Sequence, residues 1–85
     1  MMEFTYKIKD SVGIHARPAG LLVKCAAEFQ SEITLIKGEK KADAKKIFSV
    51  MTLGAKQDDE VTVKINGSDE NAAFERLKSF FEDNL

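Results

Sequence analysis

A chain of 85 residues, 44% hydrophobic and 32% charged, is too apolar for a disordered protein and too short to enclose a substrate, so it reads as a single domain over residues 1–85 with a modest core. Thirteen basic and fourteen acidic side chains leave a net charge of −1, and this balance draws in neither nucleic acid nor an anionic membrane. One cysteine excludes an internal disulfide, and no Cys/His cluster has metal-ligand spacing, so neither a metal nor another cofactor is expected.

Near the N-terminus Phe4, Tyr6 and Ile8 alternate with polar residues, the period of a half-buried strand, and no basic start leads into an apolar run as in a signal peptide. No stretch approaches the roughly 18 apolar residues of a membrane span, so a cytoplasmic protein without direct membrane insertion is expected. Asp10-Ser11-Val12-Gly13 breaks the strand with turn formers. Over residues 16–29 the period becomes helical, with Ala19, Leu22, Val23, Ala26 and Phe29 on one face. Cys25, inside this apolar run, reads as a small packing residue. A second strand follows at 32–37 with Ile33 and Leu35 inward, and Gly38-Glu39 turns into a short third strand at 40–43. Residues 44–53 fit a short helix closed by Gly54. Val61, Val63 and Ile65 form a fourth strand, and Ser68 or Asp69 caps a last helix with Ala73, Phe74, Leu77 and Phe81 inward. The order βαββαβα predicts an α+β fold, an open-faced β-sandwich whose antiparallel four-stranded sheet is covered on one face by three helices.

Chemistry concentrates in Gly13-Ile14-His15-Ala16-Arg17-Pro18. Proline is tolerated in a first helical turn, because the amide it lacks would have had no partner there. Pro18 therefore marks a helix start and puts His15 at or just before the N-cap. The free amides of Ala16 and Arg17, with the Arg17 side chain, would favour an anion beside the imidazole. An exposed neutral imidazole in that setting is a nucleophile toward a phosphoryl group. A histidine that merely caps or decorates the helix start fits these residues as well. There is no second histidine and no Gly-rich phosphate loop, so any chemistry centres on His15.

The motif at 13–18 closely resembles the active-site motif of the HPr family, the histidine-containing phosphocarriers of the sugar phosphotransferase system. The resemblance continues through Lys45-Lys46-Ile47-Phe48-Ser49-Val50-Met51-Thr52-Leu53-Gly54 and an Asp69-Glu70 start to the last helix, and it covers essentially the whole chain. It implies that His15 accepts phosphate from Enzyme I, itself charged by phosphoenolpyruvate, and passes it to the A domains of sugar permeases, with Arg17 neutralising the group. It also implies one shared partner surface on the first two helices, at Ala16, Gly20, Leu21, Lys24, Ile47, Phe48, Met51 and Thr52. By pattern alone Leu21, Phe48 and Met51 fit the core equally well.

Two departures stand out. Where many members from Gram-positive bacteria carry a regulatory serine, this chain has Lys46, which a serine kinase cannot modify; Ser49, a turn later, reads as a solvated serine. Lys45-Lys46 would also place positive charge where acidic partners dock. Val12 stands where the family has a small polar residue near the phosphate, which removes a hydrogen bond without changing the reaction type. The competing readings are a paralogue serving a dedicated or regulatory phosphorelay, a non-catalytic binding module on the same scaffold, and, weakly, a nucleic-acid-binding module. A monomer suits a carrier that exchanges partners quickly.

Overall fold

Alternation decides the sheet. The computed structural model describes residues 1–85, and in it β1 (Met2–Lys7), β2 (Glu32–Lys37), β3 (Lys40–Asp43) and β4 (Glu60–Asn66) form one antiparallel sheet in the order β1-β4-β2-β3. The inward rows place Phe4 opposite Val63 and Tyr6 opposite Val61, with Leu35 beside Val63 on the other flank of β4. The outward rows are polar: Glu3 faces Lys64, Lys7 faces Glu60, and the hydroxyls of Thr5 and Thr62 share a hydrogen bond of 3.0 Å. Such cross-strand pairs let this face meet water without drawing another sheet onto it.

The helices are α1 (Ala16–Ala26), α2 (Ile47–Thr52) and α3 (Glu70–Asn84). Ala19, Leu22, Cys25 and Ala26 of α1 are buried, as are Ala73, Leu77, Phe80 and Phe81 of α3. Phe81 is central: its ring meets those of Phe4 and Tyr6 edge-on at centroid distances of 5.7 and 5.6 Å. Burial of each such side chain contributes about 1.5–3 kcal/mol. Leu35, Val63 and Leu77, fully buried, complete the same core. Cys25 is the packing residue that its apolar surroundings suggest, and burial pushes its thiol pKa up.

Two helix boundaries and one cap differ from the sequence reading. The first helix stops at Ala26, because the amides of Glu28 and Phe29 turn to the oxygens three residues back, Cys25 and Ala26; Phe29 packs against the core from outside the helix. The second helix has only six residues. Asp43 holds 44–46 out of it by accepting the Lys45 amide on its carboxylate at 2.9 Å and the Lys46 amide on its main-chain oxygen at 3.0 Å. Asp69 occupies the N-cap of α3 but makes no capping bond. Its carboxylate instead accepts the Gln30 amide at 2.8 Å, the Ser31 amide at 3.0 Å and the Ser31 hydroxyl, pinning the start of α3 to the link between α1 and β2.

One consequence of the strand order matters for function. Because β4 pairs with β1, the segment that enters β4 lies beside the segment that leaves β1, and Asp58 and Ile8 exchange contact there through a 2.8 Å main-chain bond. The residues just before α1 therefore rest on those that follow α2.

Candidate phosphoryl-acceptor site

The chain leaving β1 is shaped by Asp10. Its carboxylate accepts the amides of Val12 and Gly13, each at 3.1 Å, and its own amide donates to the main-chain oxygen of Leu85 at 2.7 Å. Gly13 then adopts φ +80°, a conformation that side chains disfavour. A Cβ there would stand 2.4 Å from the Ala55 oxygen, so glycine is also required sterically. The Ile14 amide donates to that same oxygen at 3.0 Å, and Ile14 is buried, so the chain is fixed one residue before His15.

His15 is the N-cap of α1, in extended conformation and exposed, and its ring makes no capping bond. Its main-chain oxygen accepts the Ala19 amide at 2.9 Å, closing the first helical turn. Ala16 and Arg17 donate their amides to no acceptor in the chain, and Pro18 has no amide to give. The first turn holds no acidic residue and Arg17 forms no ion pair. The positive end of α1 is thus uncompensated beside an exposed imidazole, an arrangement that can receive negative charge. Four shallow clefts of about 240 to 390 Å³ open elsewhere, and His15 lines none of them. An exposed imidazole outside these clefts suits a macromolecular partner better than a small ligand. No group of three or more His, Cys, Asp or Glu side chains is placed to hold a metal.

The residues expected to meet partners all reach the surface. Phe48 is 82% exposed, Met51 40%, Leu21 39% and Ile47 36%, so these side chains are not in the core. Gly20 faces α2, where a Cβ on it would make ordinary contact with Ile47 Cδ1 at 3.8 Å, so the space does not itself require glycine. Ala16, Lys24 and Thr52 are exposed, and the Thr52 hydroxyl donates back to the Phe48 carbonyl. Val12, 62% exposed, adds to the apolar surface. Lys46 is the exposed N-cap of α2, but Lys45 is not free to greet a partner, since its ammonium donates to the Phe29 carbonyl at 2.7 Å. Ser49 is partly exposed, and its hydroxyl accepts the Asp43 amide at 2.9 Å, a structural role that the sequence reading did not include. The sequence reading missed Asp10 and Ala55. Asp10 carried the signal of an Asx turn before glycine, while Ala55 carried none.

The family model described as "PTS HPr component phosphorylation site" matches residues 2–83. The chain belongs to the HPr family. The phosphocarrier protein HPr of Mycoplasma capricolum is 41% identical over 78 residues, 92% of this chain and 88% of that one. A solved Mycoplasma histidine-containing phosphocarrier protein superposes with TM-score 0.94 at 39% identity, over 96% of this chain and 93% of that one. The HPr of Thermoanaerobacter tengcongensis does so with TM-score 0.92 at 41% identity, over 98% of this chain and 93% of that one, and its dimer with TM-score 0.77 over 98% and 95%. The open-faced sheet with its three helices is the HPr fold, and phosphocarrier is the general function of this chain. As in a compact carrier, no helix is long and apolar enough to cross a membrane.

Proposed function

We propose that residues 1–85 act as one phosphocarrier domain in which His15 is the phosphoryl acceptor and Arg17 its charge partner. A neutral ring nitrogen of His15 attacks phosphorus; the N–P bond forms as the bond to the donor breaks, and the donor leaves with that electron pair. The donor is Enzyme I charged from phosphoenolpyruvate, and the acceptors are the A domains of sugar permeases. The observation that carries this reading is the exposed, unbonded N-cap imidazole beside the unpartnered amides of Ala16 and Arg17. A helix terminus favours an anion by only about 0.3–2 kcal/mol. That is enough to orient the phosphoryl group without trapping it, as a carrier requires.

Exchange between donor and acceptor suits one shared surface. Leu21, Ile47, Phe48 and Met51 supply exposed apolar area, and Ala16, Gly20, Lys24 and Thr52 complete it. A patch of this size excludes water from the transfer without binding tightly. Such a carrier works as a cytoplasmic monomer. Lys46 removes seryl control at the start of α2, and this favours a second, narrower reading: a paralogue that serves a dedicated phosphorelay.

The test is to incubate the protein with phosphoenolpyruvate and Enzyme I and follow an acid-labile, base-stable phosphate label. His15→Ala is expected to abolish the label and Lys46→Ala to leave it intact. Normal labelling of the His15→Ala protein would show that the acceptor lies elsewhere.

A further inference from the structure

Transfer at His15 gives no role to Lys37, yet its side chain is the one on β2 that forms hydrogen bonds. It closes the strand half-buried, and its ammonium donates to the Gly54 main-chain oxygen at 3.0 Å and lies 3.4 Å from Asp59 Oδ2. The same carboxylate oxygen accepts the Lys56 amide at 2.9 Å. These contacts bracket Ala55 and Lys56 on both sides. Those two residues are the floor under Gly13, with the Ala55 oxygen receiving the Ile14 amide at 3.0 Å. The bracketed segment has no helix or strand ladder of its own and holds one non-glycine residue in the left-handed region, Asp58 at φ +73°; main-chain bonds tie it to Ile8 and Ile14, and Lys37 adds the side-chain tie from β2. No other side chain from outside residues 54–59 is hydrogen-bonded to a group between Gly54 and Lys56.

We propose that Lys37 is a positioning residue for phosphoryl transfer: from β2 it fastens the segment 54–59 so that the Ala55 oxygen stands where the Ile14 amide needs it, fixing the backbone from which His15 projects. The inference rests on His15 being the acceptor. Asp59 strengthens the fastening, because its carboxyl is held below the usual carboxylate range, first by the Lys56 amide and then by Lys37, and it stays ionised at neutral pH. The Lys37 ammonium bonds to Gly54 and Asp59 and to no residue of the acceptor or the proposed partner surface, so its removal acts through the geometry of the His15 loop. A loop displaced by a fraction of an ångström lowers the rate of transfer within the docked pair and leaves docking itself unchanged.

The test compares Lys37→Met, which keeps the stem and removes the charge and donors, with Lys37→Arg, which keeps both. Single-turnover labelling by phospho-Enzyme I is measured over a range of donor concentrations, alongside amide hydrogen exchange at Ile14. Lys37→Met is expected to lower the saturating rate about tenfold, to leave the half-saturating donor concentration unchanged, and to speed Ile14 exchange while the deep core amides of β4 stay protected. Lys37→Arg restores both readings. A wild-type saturating rate in Lys37→Met, a loss confined to half-saturation, or unprotected β4 amides accounting for the whole effect would each overturn the positioning role. Should the wild-type protein take no label at all, the acceptor reading fails on its own. Ile14 exchange then still decides the clamp: faster exchange in Lys37→Met upholds it, and unchanged exchange disproves it.

Discussion

Ala55 leaves no room for a side chain on Gly13. A Cβ at position 13 would sit 2.4 Å from the Ala55 oxygen and 2.7 Å from Lys56 Cα, at a φ of +80°. Gly13→Ala therefore meets two penalties together: left-handed strain of about 1–2 kcal/mol and a clash with backbone that cannot yield without moving the Ile14 bond. A total destabilisation of about 2–4 kcal/mol is expected from urea unfolding. Gly38→Ala is the control, because Gly38 has φ +60° but open space around it, and it should cost only about 1 kcal/mol. Equal losses for the two variants would mean that the contact with Ala55 is not tight.

Phe48 and Val50, two residues apart on α2, are expected to separate function from stability. Phe48 is 82% exposed, and Val50 is fully buried. Phe48→Ala should leave stability within about 0.5 kcal/mol while raising the half-saturating concentration for Enzyme I about fivefold or more, as loss of an aromatic anchor does. Val50→Ala should lower stability by about 2 kcal/mol and change transfer only where the protein unfolds. Titration of labelling rate against donor, set beside thermal melts, checks both. A Phe48→Ala protein with unaltered half-saturation would remove this ring from the partner surface.

The two positions also show what the sequence could and could not reveal. Period-2 alternation at Phe4 and Tyr6, Ile33 and Leu35, and Val61, Val63 and Ile65 located the strands, because a half-buried sheet writes its faces directly into the chain. Pro18 likewise located the helix start and put His15 at its N-cap. The choice between core and surface for Phe48 was not legible, since a six-residue helix is too short for its apolar period to separate faces. Nor was the place of β4 between β1 and β2, which sets Ala55 under Gly13; strand order depends on long-range pairing that no local pattern records. Polar side chains acting at a distance were missed for the same reason. Asp69 looked like a cap and serves instead as a tether to Ser31, 38 residues away.

Lys46 leaves α2 without an N-cap bond. Its backbone is extended, at φ −123° and ψ 115°, the geometry from which a serine hydroxyl reaches the amides of the first turn. Lys46→Ser is therefore expected to stabilise the protein by about 0.5–1 kcal/mol, read as a rise of a few degrees in Tm. It should also create a seryl target that wild type lacks, so that a serine kinase of this pathway labels the variant alone. Robust labelling of wild type would move seryl control to a different serine.

Acid stability depends on the Asp69 tether. Its carboxyl is held below the ordinary value of 3.8, first by the Ser31 hydroxyl and then by the Gln30 amide. A carboxyl with a lower pKa in the folded state binds fewer protons there than in the unfolded chain. Its stabilising contribution is therefore complete above the unfolded value and disappears as pH falls through the folded one. Asp59 and Glu70 are shifted in the same direction and add to the same acid slope. At neutral pH Asp69→Ala should be less stable than wild type. As pH drops below about 5, wild type should lose stability more steeply than the variant, and the two unfolding curves should converge at the acid end. Urea midpoints measured at intervals of pH read this directly, and parallel curves for the two proteins would show that the Asp69 carboxylate contributes nothing through its charge.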